Sequence, residues 1–205
     1  MLYNEKYFYT LHEVVMLSPV YEGTGDPLPF DSDLNYSFSN LLSDFDLDVP
    51  SKEITGINEN EWKVQGSPSA YGLLHKLWMY IFNKYEYEFV GFGDSATPAI
   101  SNPSIQKFWK MLLHKMVESY PRYKELLDLY NDEKDHLMDD VKSWTKFNDA
   151  PQMANQYDSN EYVSNYTEYG NQYASKIARI KEIDDEMRNL MGDWCDEFAR
   201  CFIEE

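Results

Sequence analysis

Two stretches of the chain place apolar residues at helical spacing, and this feature constrains the fold more than any other. The first runs from Ser67 to Glu86, and the second begins at Asn102-Pro103 and reaches Trp144. Apolar residues three and four positions apart lie on one face of an α-helix. The sequence therefore predicts two long helices, each with one buried face.

The starts of both helices carry the same signal. Ser67 and Asn102 can each cap a helix, and the proline that follows fits the first helical position. Within the second stretch, Pro121 is predicted to interrupt the helix, because proline lacks a backbone donor.

A third helix is predicted at the carboxyl end. Apolar positions from Tyr173 to Cys201 alternate in steps of four and three, which is a heptad pattern. Asp184 occupies one of these positions, and an isolated acid in a core is costly. We expect Asp184 either to face a wet gap or to pair across a subunit boundary.

Residues 1–66 are predicted to be largely irregular. Glu5–Leu17 could form a short helix, and one or two helical turns are expected around Phe38–Phe45. This segment is expected to wrap over the rest or to reach a neighbouring subunit. A break between the first two long helices contains Gly91-Phe-Gly93, which we predict to be a turn.

Residues 146–170 show no helical period in the sequence, and they lie between two helical stretches. A connection of this length in a compact domain is usually functional or disordered. Its four tyrosines, at 157, 162, 166 and 169, argue against disorder. The predicted fold is mainly α: a helical bundle with an irregular acidic amino-terminal extension (1–66), a helical domain (67–205) and a long extended loop (146–170) between the last two helices.

The charge is strongly negative and uneven. The chain of 205 residues has 36 acids and 18 bases, a formal net charge of −18. Residues 1–66 carry 12 acids and 3 bases, or −9, and residues 147–205 carry 13 and 5, or −8. Such a chain repels nucleic-acid phosphates and anionic membranes at long range. Three interpretations remain open: simple solubility, a surface along which DNA slides, and mimicry of DNA.

No catalytic site, metal site or cofactor is expected. Two acidic stretches that begin at Asp31 and Asp44 imitate calcium loops but lack the required glycine and closing glutamate. The four histidines have no metal-binding spacing, and no serine lies in a nucleophile-elbow setting. Cys195 and Cys201 lie on different helix faces and are not expected to pair. Neither a signal peptide nor a membrane-spanning segment is expected.

Four segments between Leu74 and Gln152, taken in order, resemble the lower collar, or head-to-tail connector, proteins of short-tailed bacteriophages. The resemblance covers somewhat under half of the chain. The segments are Tyr85-Glu-Tyr-Glu-Phe-Val-Gly-Phe92; Phe108-Trp109 with Leu112; Tyr120-Pro-Arg-Tyr123 with Tyr130; and Phe147-Asn-Asp-Ala-Pro-Gln152.

The resemblance implies a ring of identical subunits, commonly about twelve, between the portal and the next tail or ring protein. Genome DNA would pass through the lumen without specific binding. The chain would belong to the virion collar, and to the host cytoplasm during assembly. The loop would contact an adjacent subunit or ring through residues that combine hydrogen bonding with stiff contact area: Phe147, Asn148, Asp149, Pro151, Gln152, Tyr157, Tyr162, Tyr166 and Tyr169.

Other functions stay open at this point. The main alternative is an acidic inhibitor or DNA mimic that binds a basic host protein, which accounts directly for the charge of −18. An enzyme or metal protein is a further alternative without support in the sequence. The loop itself could instead fold back on its own bundle.

Overall fold

A computed structural model of the protein describes the backbone of residues 2–3, 6–17, 38–64, 70–139 and 161–203. Side chains are described over residues 6–17, 38–64, 70–137 and 174–203. These parts of the chain form six α-helices, three β-strands and short 3₁₀ turns. The predicted mainly α fold is confirmed.

The elements follow one another along the chain with these bounds. The strands are β1 (Leu2–Tyr3), β2 (Lys6–Thr10) and β3 (Phe89–Gly93). The helices are α1 (Leu11–Val15), α2 (Phe38–Asp44), α3 (Lys52–Thr55), α4 (Leu73–Tyr85), α5 (Pro103–Asp139) and α6 (Glu161–Asp196). The 3₁₀ turns are Glu59–Trp62 and Ala199–Cys201.

The chain divides into two compact units. The first unit contains residues Met1–Tyr123 and Met191–Glu205, and the second contains Lys124–Leu190. The described amino-terminal segments therefore belong to the same unit as α4, whereas the sequence analysis divided the chain after residue 66.

Aromatic packing explains why the amino-terminal segments belong to the first unit. The rings of Phe38 and Trp78 stack with centroids 4.9 Å apart, and Phe45 lies 5.1 Å from Trp109. Trp62 is completely buried as well. Burying such side chains supplies most of the driving force for folding. The amino-terminal segment thus wraps over the helices and helps to form their core.

A small antiparallel sheet, ordered β1-β2-β3, was missed from the sequence. Lys6–Thr10 was expected to be helical but pairs with β3, with Tyr9 opposite Gly91. Side chains along a strand alternate between its two faces, and Lys6–Thr10 fits this arrangement because Tyr9 is buried while Lys6 is exposed. Helix α1 begins only after Thr10, whose hydroxyl accepts a hydrogen bond from the Glu13 backbone N–H.

The Gly91-Phe-Gly93 segment is a strand, so the predicted turn is wrong. A Cβ atom added to Gly91 would lie 2.7 Å from Ser104 Oγ and 3.0 Å from Ile105 Cγ1. The Ser104 hydroxyl cannot easily move away, because it accepts a hydrogen bond from Phe92 N at 2.8 Å. Glycine is therefore required at residue 91 by the close approach of the first turn of α5.

Helix α5 begins as predicted, but it does not stop at Pro121. Asn102 Oδ1 accepts a hydrogen bond from Ser104 N at 2.8 Å, so the predicted cap is confirmed. The helix then continues through Pro121 to Asp139. The proline sacrifices one backbone hydrogen bond, and the packing of flanking residues such as Met116 and Tyr123 holds the helix together.

Replacing Gly91 with alanine should destabilise the first unit by about 1–3 kcal/mol, because the new methyl group overpacks the contact with Ser104. Gly192→Ala is the matched control, since a Cβ atom there meets nothing within 4 Å. That helical position should gain about 0.5–1 kcal/mol. Urea unfolding of both variants measures the difference. Equal stability changes would contradict the described approach of α5 to β3.

His75 is a buried polar residue on α4. Its Nδ1 accepts a hydrogen bond from Phe38 N at 3.2 Å, so the ring is held in its neutral form. Burial lowers the pKa of His75 from 6.5 to about 4. The unfolded chain therefore takes up a proton at this site at a higher pH than the folded chain does.

Stability should consequently fall as the pH drops from about 6.5 to about 4, by on the order of 2–3 kcal/mol from His75 alone. His75→Asn keeps a hydrogen-bond acceptor near Nδ1 but cannot be protonated in this range. Its unfolding free energy should fall less steeply over this interval than that of the wild type. The exposed His114, changed to asparagine, is the control. A wild-type slope in the His75 variant would contradict this assignment.

Candidate assembly surface

The predicted interface residues divide into two groups. Phe147, Asn148, Asp149, Pro151, Gln152 and Tyr157 lie outside the residues that the structure describes. Helix α6 begins at Glu161. Tyr162, Tyr166 and Tyr169 therefore belong to its first turns, and the prediction of an extended loop is wrong for residues 161–170.

The tyrosine positions follow a helical spacing that the sequence analysis overlooked. Tyr162, Tyr166, Tyr169 and Tyr173 are separated by steps of four, three and four residues. On a helical backbone, these positions share one face. Asparagine, serine and Gly170 between the tyrosines obscured the pattern, because they are weak helix formers.

In the second unit, ion pairs connect α5 to α6. Arg179 donates to both carboxylate oxygens of Glu133, from Nε at 2.8 Å and from Nη2 at 3.2 Å. Hydrogen bonding from Arg179 lowers the pKa of Glu133. Lys134 Nζ lies 2.7 Å from Asp184 Oδ1. Asp184 is thus partly exposed to solvent and has a partner within its own chain, so the expected pair across a subunit boundary is not needed.

The buried positions of α6 also differ from the predicted heptad pattern. Ile183, outside that pattern, is completely buried, whereas Ile177, inside it, is 53% exposed. Asp184 follows the buried residue directly and is therefore only partly exposed. The acid at residue 184 was a sign that the buried face lies one position away from the predicted one. A carboxylate is costly to bury in a core, so this position faces water and its neighbour faces the core.

Few apolar side chains of the second unit are buried. Among its described residues, only Leu127 and Ile183 are classed as buried. Leu126, Leu129 and Ile177 are exposed, Leu129 by 60%. Helices in proteins gain most of their stability from packing of an apolar face. The described part of this helix pair therefore leaves apolar area available for a partner.

The Tyr120-Pro-Arg-Tyr123 segment lies against the carboxyl-terminal part of α6 in the first unit. The ring of Tyr123 stacks on Trp194 with centroids 4.8 Å apart and an interplanar angle of 7°. Its hydroxyl donates to Glu197 Oε1 at 2.8 Å. Trp194 Nε1 in turn donates to Ser119 Oγ at 2.7 Å. This tyrosine consequently has a packing role in the fold.

The two cysteines are free thiols, as predicted. Burial raises the pKa of Cys195 to about 11, and burial also raises the pKa of Cys201. A thiol that stays protonated is a poor nucleophile and a poor metal ligand. Among the described residues, no group of three histidine, cysteine or acidic side chains could hold a metal ion.

Comparison with known proteins gives no relative. No protein-family model, curated protein or solved structure matches this chain. None of the described helices combines the length and apolar character that a membrane span requires.

Ile183 and Asp184 are adjacent, and their substitution tests which face of α6 is buried. Ile183→Ala should destabilise the protein by about 2–4 kcal/mol, because it leaves a cavity. Asp184→Ala should cost under about 1 kcal/mol, because its pair with Lys134 is partly exposed. Chemical unfolding measures both. If Asp184→Ala proved the more damaging, the predicted heptad face would be correct and the described one wrong.

Proposed function

We propose that the chain is a structural subunit of a closed homo-oligomeric ring, of the head-to-tail connector type. In this proposal the ring joins the portal of a short-tailed bacteriophage to the next tail or ring protein. Genome DNA passes through its lumen. The subunit has no catalytic task, and it needs neither a metal nor a cofactor for its assembly.

The exposed apolar residues of the second unit carry this proposal most directly. Leu126, Leu129 and Ile177 lie in a unit whose described residues bury only two apolar side chains, Leu127 and Ile183. In a ring, each subunit can bury such residues against its neighbour. The tyrosine positions at the start of α6 add large amphipathic side chains to the same unit, and tyrosine is enriched at protein interfaces.

The order of the four sequence segments supports the same function. Three of them lie within described elements: the end of α4 with β3, the first half of α5, and its continuation through Pro121. The segments themselves supply the specific argument for a connector.

The charge is compatible with passage of DNA. Duplex DNA carries one negative charge per roughly 1.7 Å of helix axis. A ring built from subunits of charge −18 would not hold DNA tightly in its lumen. Ejection of a genome requires such a surface, because strong binding would stop the DNA.

The proposal predicts that the purified protein forms a discrete assembly near twelve subunits. Replacing Tyr157, Tyr162, Tyr166 and Tyr169 with serine should yield a folded monomer, because serine and tyrosine have similar helix propensities. Light scattering and native mass spectrometry measure the mass, and circular dichroism checks the fold.

The control is Tyr80→Ser, which removes an exposed tyrosine of the first unit outside the four segments. It should assemble like the wild type. If the quadruple variant assembled like the wild type, these tyrosines would not be part of the interface. A wild-type monomer would be mixed with candidate portal rings, and failure to bind them would count against the connector function.

The charge itself favours one other function, an acidic inhibitor or DNA mimic of a basic host protein. A mimic would bind basic proteins as a monomer or dimer, with affinity falling steeply as salt rises. Pull-down of basic proteins at low and moderate salt distinguishes the two functions, since a connector subunit has no need to capture them.

A further inference from the structure

One groove of this acidic protein contains no acid. The basic groove lies on the first half of α5, has a volume of about 470 Å³, and is lined by Pro103, Gln106, Lys107, Lys110, Met111 and His114. No aspartate or glutamate occurs between Asp94 and Glu118 in the sequence. In a chain with twice as many acids as bases, this absence makes the basic groove electrostatically distinct.

Among the described residues, no partner neutralises the two lysines of the basic groove. No ion pair found among the described residues involves Lys107 or Lys110, although most other described lysines and arginines have one. Both lysines are exposed and one helical turn apart, so they point to the same side of α5. The positive end of the α5 dipole lies beside them at Pro103.

Met111 supplies an apolar contact in the basic groove. It is 41% exposed and lies between Lys110 and the turn that bears His114. Methionine adapts its shape to different partners and is common at binding surfaces. The groove therefore offers both charge and apolar area, which suits a protein surface better than a small ion.

The second cleft beside it differs in charge. It shares Met111 and His114 with the basic groove, but Asp193, Asp196 and Glu197 also line it. Lys115 lies 3.5 Å from Glu197 Oε2 and is partly neutralised there. The second cleft therefore mixes acids with bases, whereas the basic groove is lined by bases without acids.

We propose that the basic groove binds an acidic surface of a second copy of this chain. This inference rests on the proposed ring. A positive patch cannot pair with itself across a two-fold axis, so the contact must join the groove of one subunit to a different surface of the next. Such a head-to-tail contact closes into a ring when the rotation allows it.

A second copy fits the groove better than DNA does. Each copy carries 36 acids, so acidic surface is abundant on every neighbour. Two lysines release too few counterions to hold a DNA duplex, whereas a protein surface can also cover Met111.

The test reverses the two lysines, as Lys107→Glu with Lys110→Glu. The control is Lys6→Glu with Lys52→Glu, two exposed lysines of the first unit outside the groove. Each double reversal lowers the formal net charge by four, from −18 to −22. Native mass spectrometry and light scattering would be recorded at low and moderate salt.

We expect the groove variant to lose at least tenfold in association, while the control keeps the wild-type assembly. The difference in association between the groove variant and the wild type should shrink as salt rises, because surface charges are screened beyond about 10 Å at ~0.1 M. When mixed with wild type, the groove variant should join open assemblies at one end and prevent their closure, because it retains its acidic surface.

Each of the other outcomes would contradict the groove proposal, the ring proposal or both. Full assembly of the groove variant would overturn the groove as an interface and leave the ring proposal standing. Equal loss in both variants would assign the effect to net charge. A wild-type protein that stays monomeric, alone and with portal rings, would overturn the ring and the groove together. Binding of a short DNA duplex that the groove variant abolishes would assign the groove to DNA instead.

Discussion

The contact between Trp78 of α4 and Trp109 of α5 is the constraint on which the first unit depends. Both side chains are almost fully buried, and their ring centroids lie 5.5 Å apart. Phe38 approaches both rings, at 4.9 Å and 6.4 Å. Such pairs add about 0.5–1.5 kcal/mol each to the larger gain from burial. Because α2 contributes Phe38, the acidic amino-terminal segment cannot be separated from the helical frame.

Helices α4 and α5 could be predicted from the sequence because each places an apolar stripe on one face. Residues such as Leu77, Ile81 and Leu112 follow that stripe and are buried. The strand at Phe89–Gly93 could not be predicted from the sequence, because its two glycines are typical turn residues. Their role depends on the approach of Ser104 and Asn102, which no local pattern records.

The candidate surface was only partly accessible to sequence reasoning. The tyrosines were singled out as interface residues, but residues 161–170 were predicted to be loop because glycine and asparagine interrupt the four-three-four spacing of the tyrosines. The sequence pattern alone could not predict that Ile183, rather than Asp184, is buried. This arrangement depends on the pairing of Asp184 with Lys134, which lies 50 residues away in sequence. The basic groove was also overlooked. Its lysines were counted together with acids farther along α5, so the middle third of the chain (67–146) looked nearly neutral.

In the proposed ring, two features of the subunit would bear on assembly, and they would act in different ways. The helix pair of the second unit offers apolar side chains, which contribute affinity through burial. The basic groove of the first unit offers charge, which contributes orientation and speed of encounter. A subunit with one positive groove on an acidic body favours head-to-tail order, and this order is what a closed ring requires.

The most direct measurement of this account is electron microscopy of the purified protein at low salt, with two-dimensional averaging of single particles. The account predicts closed rings of uniform size with a central channel wide enough for duplex DNA. Particles of one or two subunits at every concentration, without any ring, would contradict it.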